Sequence, residues 1–144
     1  MKVVINDCYG GFSLSLKGLK EYLKLKGKKA YFYSQTKFKH SDGMEKHVRV
    51  GVNEKSCFVH CVLQNLGTEV TGDFGKAYDD GNYFSIYDIP RDDADLVKVV
   101  EKLGKKSWGN CAKLKIVEIP DGIEWHLDEY DGNEHIAEKH RTWN

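Results

Sequence analysis

A cysteine and a carboxylate stand side by side near the start of this sequence. Asp7 and Cys8 come just before the glycine pair 10–11. A cysteine can act as a nucleophile when a nearby base takes its proton, and His60 or His140 could supply that base in the fold. The sequence has no G-x-S-x-G elbow and no papain-like signature. A hydrolase that uses Asp7, Cys8 and a histidine is therefore one hypothesis, and we favour a protein that is not an enzyme.

Metal binding is the second chemistry to consider. Successive side chains on a strand point to opposite faces, so His60 and Cys61 would not chelate one ion together. His135 and His140 are five residues apart, which again separates them across two faces. Neither C-x-x-C nor H-E-x-x-H occurs, and we predict no metal ion and no other cofactor. The residues weighed as ligands are Cys57, His60, Cys61, His126, His135 and His140.

Ligand binding is the third chemistry to consider. Many aromatic residues of this chain have polar neighbours in the sequence. Phe, Trp and Tyr make up 12% of the chain. A tyrosine or tryptophan beside arginine and asparagine can stack a base and fix its edges. The same aromatic side chains could instead fill the edges of the core or an oligomer interface. The candidate ligand-binding residues are Tyr9, Phe12, Phe74, Tyr78, Asn82, Arg91 and Asn110.

The stretch INDCYGGFSLS, residues 5–15, could also bind an anion. Main-chain amides around the glycine pair and the helix start near Ser15 would point at such a ligand. The stretch matches neither the phosphate loop G-x-x-x-x-G-K-[ST] nor G-x-G-x-x-G, and Asp7 would repel a phosphate. We therefore interpret it as a tight strand-to-helix connection with a positive φ at Gly10 or Gly11.

Charge is unevenly distributed along the chain, although the 22 basic and 22 acidic residues cancel. Eight lysines lie between residues 17 and 39 against one acid, Glu21, and seven acids lie between 118 and 134 with no lysine or arginine. The zero net charge argues against polymeric nucleic acid as a partner. A small anionic ligand would need only the local basic stretch. Alternatively, the lysines are simply solvated, or the two stretches meet within the fold or across a homo-oligomer.

Length and composition are those of a globular protein. The chain has 144 residues, of which 40% are hydrophobic and 31% charged, and we expect one domain over 1–144. No apolar run approaches the ~20 residues of a membrane span, and the N-terminus lacks the long apolar segment of a signal peptide. We therefore expect no membrane partner and a cytoplasmic location, where the four cysteines would be free thiols.

The sequence pattern predicts that an α+β fold positions these residues. The fold would have two helices and a mostly antiparallel mixed sheet of about seven strands. The helices are predicted at about 15–26, capped by Ser15 or Ser13, and at about 93–103, capped by Asp92. The strand–helix–strand order at the start favours a parallel pair of strands 2–6 and 30–34. The further predicted strands are 47–52 and 56–64, read as an antiparallel pair, then 83–89, 112–120, and 123–130 with a hairpin turn at Asp131-Gly132.

Four stretches carry a family resemblance: VVINDCYGGFSLS at 3–15, IPRDDADLV at 89–97, CAKLKIVEIP at 111–120 and the ending EKHRTW at 138–143. They resemble a family of small uncharacterised proteins encoded by bacteriophages and prophages. The resemblance implies a phage accessory gene expressed in the bacterial host cytoplasm. It brings no known activity and no catalytic residue to this chain. Small phage proteins of this size often act against host defences.

Three hypotheses of function follow. The first is a non-enzymatic phage protein that sequesters a small nucleotide-derived host immune signal in pockets of a homo-oligomer. Loop aromatics would stack on the base, and Arg91 or the lysines between 17 and 39 would meet phosphate. The second is an inhibitor that binds a host defence protein through the acidic hairpin 118–134. The third is the hydrolase described above, acting on a nucleotide signal.

Overall fold

The computed structural model has an α+β fold, as predicted, and describes residues 1–35, 46–54, 59–71 and 81–138. Those ranges contain eight strands and two α-helices. The strands are β1 Lys2–Asn6, β2 Tyr31–Gln35, β3 Lys46–Val50, β4 Val59–Val62, β5 Glu69–Thr71, β6 Leu114–Glu118, β7 Trp125–Tyr130 and β8 Asn133–Glu138, and the helices are α1 Leu16–Leu25 and α2 Ala94–Leu103.

The described strands form three antiparallel sheets. β1 pairs with β6, β7 pairs with β8, and β4-β2-β3-β5 is the order of the four-stranded sheet. The predicted parallel pairing of β1 with β2 is therefore wrong, because β1 takes β6 as its partner with Lys2 opposite Glu118. The predicted pairing of β3 with β4 is also wrong, since the two strands lie on opposite sides of β2.

The segment 83–89, predicted as a strand, forms a single bridge and a short 3-10 helix instead. Tyr83 bridges Val62 at the end of β4, and the 3-10 helix covers Ile86–Asp88. The Ser85 side chain accepts a hydrogen bond from the main-chain N–H of Tyr87 at 3.3 Å. Such a local bond competes with strand pairing, which explains why an alternating apolar pattern does not extend here.

Both helices begin at polar caps. The Ser15 hydroxyl accepts from the N–H of Gly18 at 3.0 Å, as the sequence predicts for α1. Asp93, and not the predicted Asp92, caps α2, with its carboxylate accepting from the N–H of Asp95 at 2.8 Å. The helix begins at Ala94, so the cap position falls on Asp93 and not on Asp92. Asp93 also pairs with Lys26 at 3.0 Å.

The two helices pack into one apolar core with the strands. Leu23 of α1 and Leu96 and Val99 of α2 are fully buried, in the same cluster as Val4 of β1 and Phe32 of β2. Burial of such side chains contributes about 1.5–3 kcal/mol each to folding. The cluster thus joins the β1–β6 sheet to the four-stranded sheet. No helix in the described ranges is long and apolar enough to cross a membrane.

Candidate functional site

The glycine pair after β1 serves close backbone packing. Gly11 has φ 87°, which confirms the positive φ predicted for this turn. A Cβ added at Gly10 would lie 2.1 Å from the carbonyl oxygen of Cys111, and one added at Gly132 would lie 2.3 Å from the nitrogen of Gly11. Three backbone segments therefore meet here at a distance that only glycine permits. The interpretation of the stretch as a tight connection is confirmed.

Asn6 holds the same junction together from inside. Its side chain is fully buried, and its amide nitrogen donates to the carbonyl oxygens of Cys8, at 2.9 Å, and Gly132, at 2.7 Å. Its amide oxygen accepts from the main-chain N–H of Lys113 at 2.9 Å. Each end of the amide thus has a partner on a different loop, as a buried polar group requires.

Two predicted ligand residues, Phe12 and Arg91, come together. The Arg91 guanidinium lies 3.6 Å from the centre of the buried Phe12 ring. It also donates to both carboxylate oxygens of Glu134, one of them at 2.9 Å. Glu134 in turn accepts from the main-chain N–H of Asn6 at 2.8 Å. Phe12 and Arg91 therefore have internal partners in the fold.

The other predicted ligand residues are distributed over the molecule. Tyr9 is 68% exposed, and Asn110 is exposed as well. The Asn82 side chain donates to Gln64 at 2.8 Å, beside the end of β4. Phe74 and Tyr78 lie outside the described residues, as do Cys57 and His140.

The structure gives Cys8 two oxygen partners. Its thiol donates to the side-chain oxygen of Asn6 at 3.3 Å and to the carbonyl oxygen of Cys111 at 3.2 Å. Neither acceptor is a general base, which is what a cysteine nucleophile requires. Cys61 is buried in the core, and burial raises the pKa of its thiol to about 12. Within the ranges described, no three His, Cys, Asp or Glu side chains are grouped to hold a metal ion.

A cleft of about 460 Å³ opens on the four-stranded sheet, and none of its residues was predicted individually as a ligand contact. Its size falls within the range of small-molecule sites, about 300–1,000 Å³. The residues that define its chemistry are Lys20, Tyr31, Arg49, Gly51 and Thr68, and we call it the basic cleft. No acidic residue occurs among the described residues that line it.

Arg49 is the best-positioned cation of the basic cleft. Its guanidinium lies 4.7 Å from the centre of the Tyr31 ring, and it donates to the side-chain oxygen of Asn65 at 3.2 Å. Its main-chain N–H donates to the carbonyl of Thr68 at 2.9 Å. Asn65 is itself fixed, because it also accepts from the N–H of Gly67 at 2.9 Å. A guanidinium positioned by such contacts can stack on a planar ring and pair with an anion.

Gly51 keeps the cleft open. The register pairs Phe32 with Val50 at the end of β3, and Gly51, the residue after β3, lines the cleft together with Tyr31. A Cβ added at Gly51 would meet no atom within 4 Å, and Gly51 does not have a positive φ. The glycine is therefore not required by the backbone here. Its effect is to leave the space beside Tyr31 unfilled.

The basic cleft combines an aromatic ring, two cations and open space. Lys20 comes from the exposed face of α1 and belongs to the lysine-rich stretch 17–39 that the sequence singled out. Tyr31 and Arg49 come from the neighbouring strands β2 and β3. The alternation of HVRVGV, residues 47–52, could have indicated that Arg49 and Gly51 lie on one face, but it does not include Tyr31. The arrangement suits a planar, negatively charged ligand.

The chain was compared with family models, curated proteins and solved structures. No family model, no curated protein and no solved structure matches the chain.

Proposed function

We propose that this protein is a non-enzymatic binding protein that takes up a small nucleotide-derived anion in the basic cleft. The observation that carries the proposal is the Arg49 guanidinium stacked 4.7 Å over Tyr31 in a cleft that also holds Lys20. Base–aromatic and base–guanidinium stacking tolerate many bases. A lysine at the rim of the cleft would supply the charge for a phosphate.

The biological setting that we propose follows the family resemblance. A phage protein of this kind would sequester a nucleotide signal made by a host defence enzyme and so act as a sponge in the bacterial cytoplasm. In a homo-oligomer, each chain would contribute the residues of one basic cleft. The lysines around Lys20 would favour the approach of anions over a longer range.

Titration calorimetry with a panel of nucleotides tests the binding directly. The panel contains nucleoside monophosphates, cyclic mono- and dinucleotides and ADP-ribose. Gly51→Ile fills the space beside Tyr31 without backbone strain, and we expect it to abolish binding of whichever nucleotide the wild type takes up. No heat of binding from any member of the panel to the wild-type chain would overturn the proposal.

Two lysine variants provide a matched comparison. Lys20 and Lys17 are both exposed on α1, but only Lys20 lines the basic cleft. We expect Lys20→Ala to weaken nucleotide binding by about tenfold, the effect of losing one charge-assisted contact. Lys17→Ala should leave the affinity near the wild-type value. Equal loss in both variants would show that general charge, and not the cleft, attracts the ligand.

A second candidate function is docking of the β7–β8 hairpin on a basic surface of a host defence protein. Tyr130 at its tip is 78% exposed, and the flanking Glu129 and Asp131 are exposed too. An exposed tyrosine with charged neighbours is typical of an interface anchor. Inhibition of a purified host enzyme by the wild type, lost in Tyr130→Ala and kept in Gly51→Ile, would select this function over nucleotide binding.

A further inference from the structure

The seam between the loop 7–11 and the loop 108–113 holds two cysteines that nucleotide binding does not use. Cys8 is half-buried and Cys111 is exposed. The sulfur of Cys8 lies 3.2 Å from the carbonyl oxygen of Cys111. The thiol of one cysteine thus already rests against the main chain of the other.

A main-chain hydrogen bond and a close backbone approach hold the two loops together. The main-chain N–H of Asp7 donates to the carbonyl of Lys113 at 2.8 Å. The Cβ of Cys111 lies only 3.0 Å from where a Cβ on Gly10 would stand. Because Gly10 carries no side chain, the backbone that follows Cys8 passes directly over Cys111. A disulfide needs two Cα atoms about 4.4–6.8 Å apart, a spacing that neighbouring backbone segments in contact can provide.

We propose that Cys8 and Cys111 form a modification site at which a low-molecular-weight disulfide, such as oxidised glutathione, installs an intramolecular Cys8–Cys111 disulfide. The exposed Cys111, as thiolate, attacks one sulfur of the oxidant, whose S–S bond breaks and releases the first small thiolate. Cys8, as thiolate, then attacks the Cys111 sulfur and releases the second. Two protein thiols lose two electrons, the oxidant becomes two thiols, and the two protons pass to the thiolates that leave.

Cys61 serves as an internal reference for this reactivity. Cys61 is buried in the core, and it lies on β4 of the four-stranded sheet, whereas the seam consists of two loops. The thiolate is the reactive form in exchange, and burial raises the pKa of the Cys61 thiol to about 12. Cys61 should therefore stay reduced under conditions that oxidise the seam.

The experiment uses the full chain carrying Cys57→Ser, so that this fourth cysteine cannot compete. The protein is treated with oxidised glutathione and analysed by intact mass and by peptide mapping without reduction. We expect a product about 2 Da lighter, with a cross-linked peptide pair containing Cys8 and Cys111. Cys8→Ser keeps a hydroxyl donor for Asn6 and should yield only a mixed disulfide at Cys111, about 305 Da heavier.

Two results would overturn the proposal. One is stable glutathione adducts on Cys8 and Cys111 together, with no cross-linked peptide. The other is a cross-link that involves Cys61. Unfolded protein could cross-link unspecifically, so the oxidation is repeated in urea, and the Cys8–Cys111 product should dominate only without urea.

Discussion

The guanidinium carbon of Arg91 lies 3.6 Å from the centre of the Phe12 ring, while the same guanidinium pairs with the carboxylate of Glu134. The side chains of Arg91 and Glu134 are only 15% and 7% exposed. Three distant parts of the chain are tied together by this contact: the loop after β1, the segment before α2 and the start of β8. A charge buried so far from water is stable only while its partner is present.

Removal of one charge of this pair should therefore lower the stability of the folded protein. We expect Glu134→Gln to lower the free energy of unfolding by about 3 kcal/mol, because it leaves Arg91 buried without a counter-charge. The amide oxygen of the new side chain can still accept from Asn6. The measurement is urea unfolding followed by circular dichroism.

The double variant Arg91→Met with Glu134→Gln tests the cause. With no charge left unpaired, it should be more stable than Glu134→Gln alone. A double variant that is less stable would mean that the Arg91–Phe12 contact, and not the charge, dominates. Lys2→Met provides the surface comparison, since it breaks the exposed pair with Glu101 and should change little.

Gly132 and Gly122 allow backbone strain to be separated from a steric clash. Both have a positive φ, 83° and 84°. A Cβ at Gly132 would collide with Gly11, whereas a Cβ at Gly122 meets nothing within 4 Å. We expect Gly122→Ala to cost about 1 kcal/mol of stability from the backbone alone, and Gly132→Ala to cost clearly more in the same urea assay. Equal losses would show that the three backbone segments can separate without penalty.

The adjacent acids Asp92 and Asp93 test the cap of α2. Burial by itself would raise the pKa of Asp93, but the hydrogen bonds from Lys26 and from the first turn of α2 together lower it below its ordinary value. We expect Asp93→Ala to cost about 1–2 kcal/mol, with loss of helical signal on heating. Asp92→Ala should have a thermal midpoint near that of the wild type. The reverse ranking would restore Asp92 as the cap.

His60 should make stability depend on pH. Burial lowers its pKa below the ordinary value, and the nearby His47, with ring centres 5.5 Å apart, lowers it further. The unfolded chain then binds a proton more readily than the folded chain. The stabilisation is complete above the ordinary pKa of about 6.5 and is lost as the pH falls towards the lower folded-state pKa.

The measurement is the urea midpoint at several values between about pH 8 and pH 5. We expect the midpoint of the wild type to fall with pH more steeply than that of His60→Gln, which cannot be protonated. Parallel curves for the two proteins would contradict the assignment to His60.

Helices and turns could be predicted from the sequence because they are determined by residues that are close together in the chain. The apolar spacing of Leu19 and Leu23 with the cap Ser15 identified α1, and Asp131-Gly132 identified the hairpin turn, where the two residues have φ 51° and 83°. Strand partners were not accessible. The residues of β1 do not indicate which strand will pair with it. Its partner β6 follows more than a hundred positions later in the chain.

The basic cleft was only partly accessible for the same reason. Lys20 belongs to a lysine-rich stretch that the sequence made conspicuous, but Tyr31 and Arg49 meet only when β2 and β3 are in register. The empty space beside Gly51 exists only in three dimensions. The resemblance to phage proteins and the anti-defence role stay predictions.

The pairing of β1 with β6 also determines when the protein can finish folding. The main-chain nitrogen of Met1 bonds to Ile119, 118 positions later. At roughly 5–20 residues per second, β1 leaves the ribosome on the order of ten seconds before β6 has been made. During that interval the apolar residues of β1 have no strand to pair with, and they are exposed to aggregation or to chaperones. Completion of this sheet is therefore a late event in synthesis, and a nascent chain arrested before Leu114 should be recognised as unfinished by the quality-control machinery of the cell.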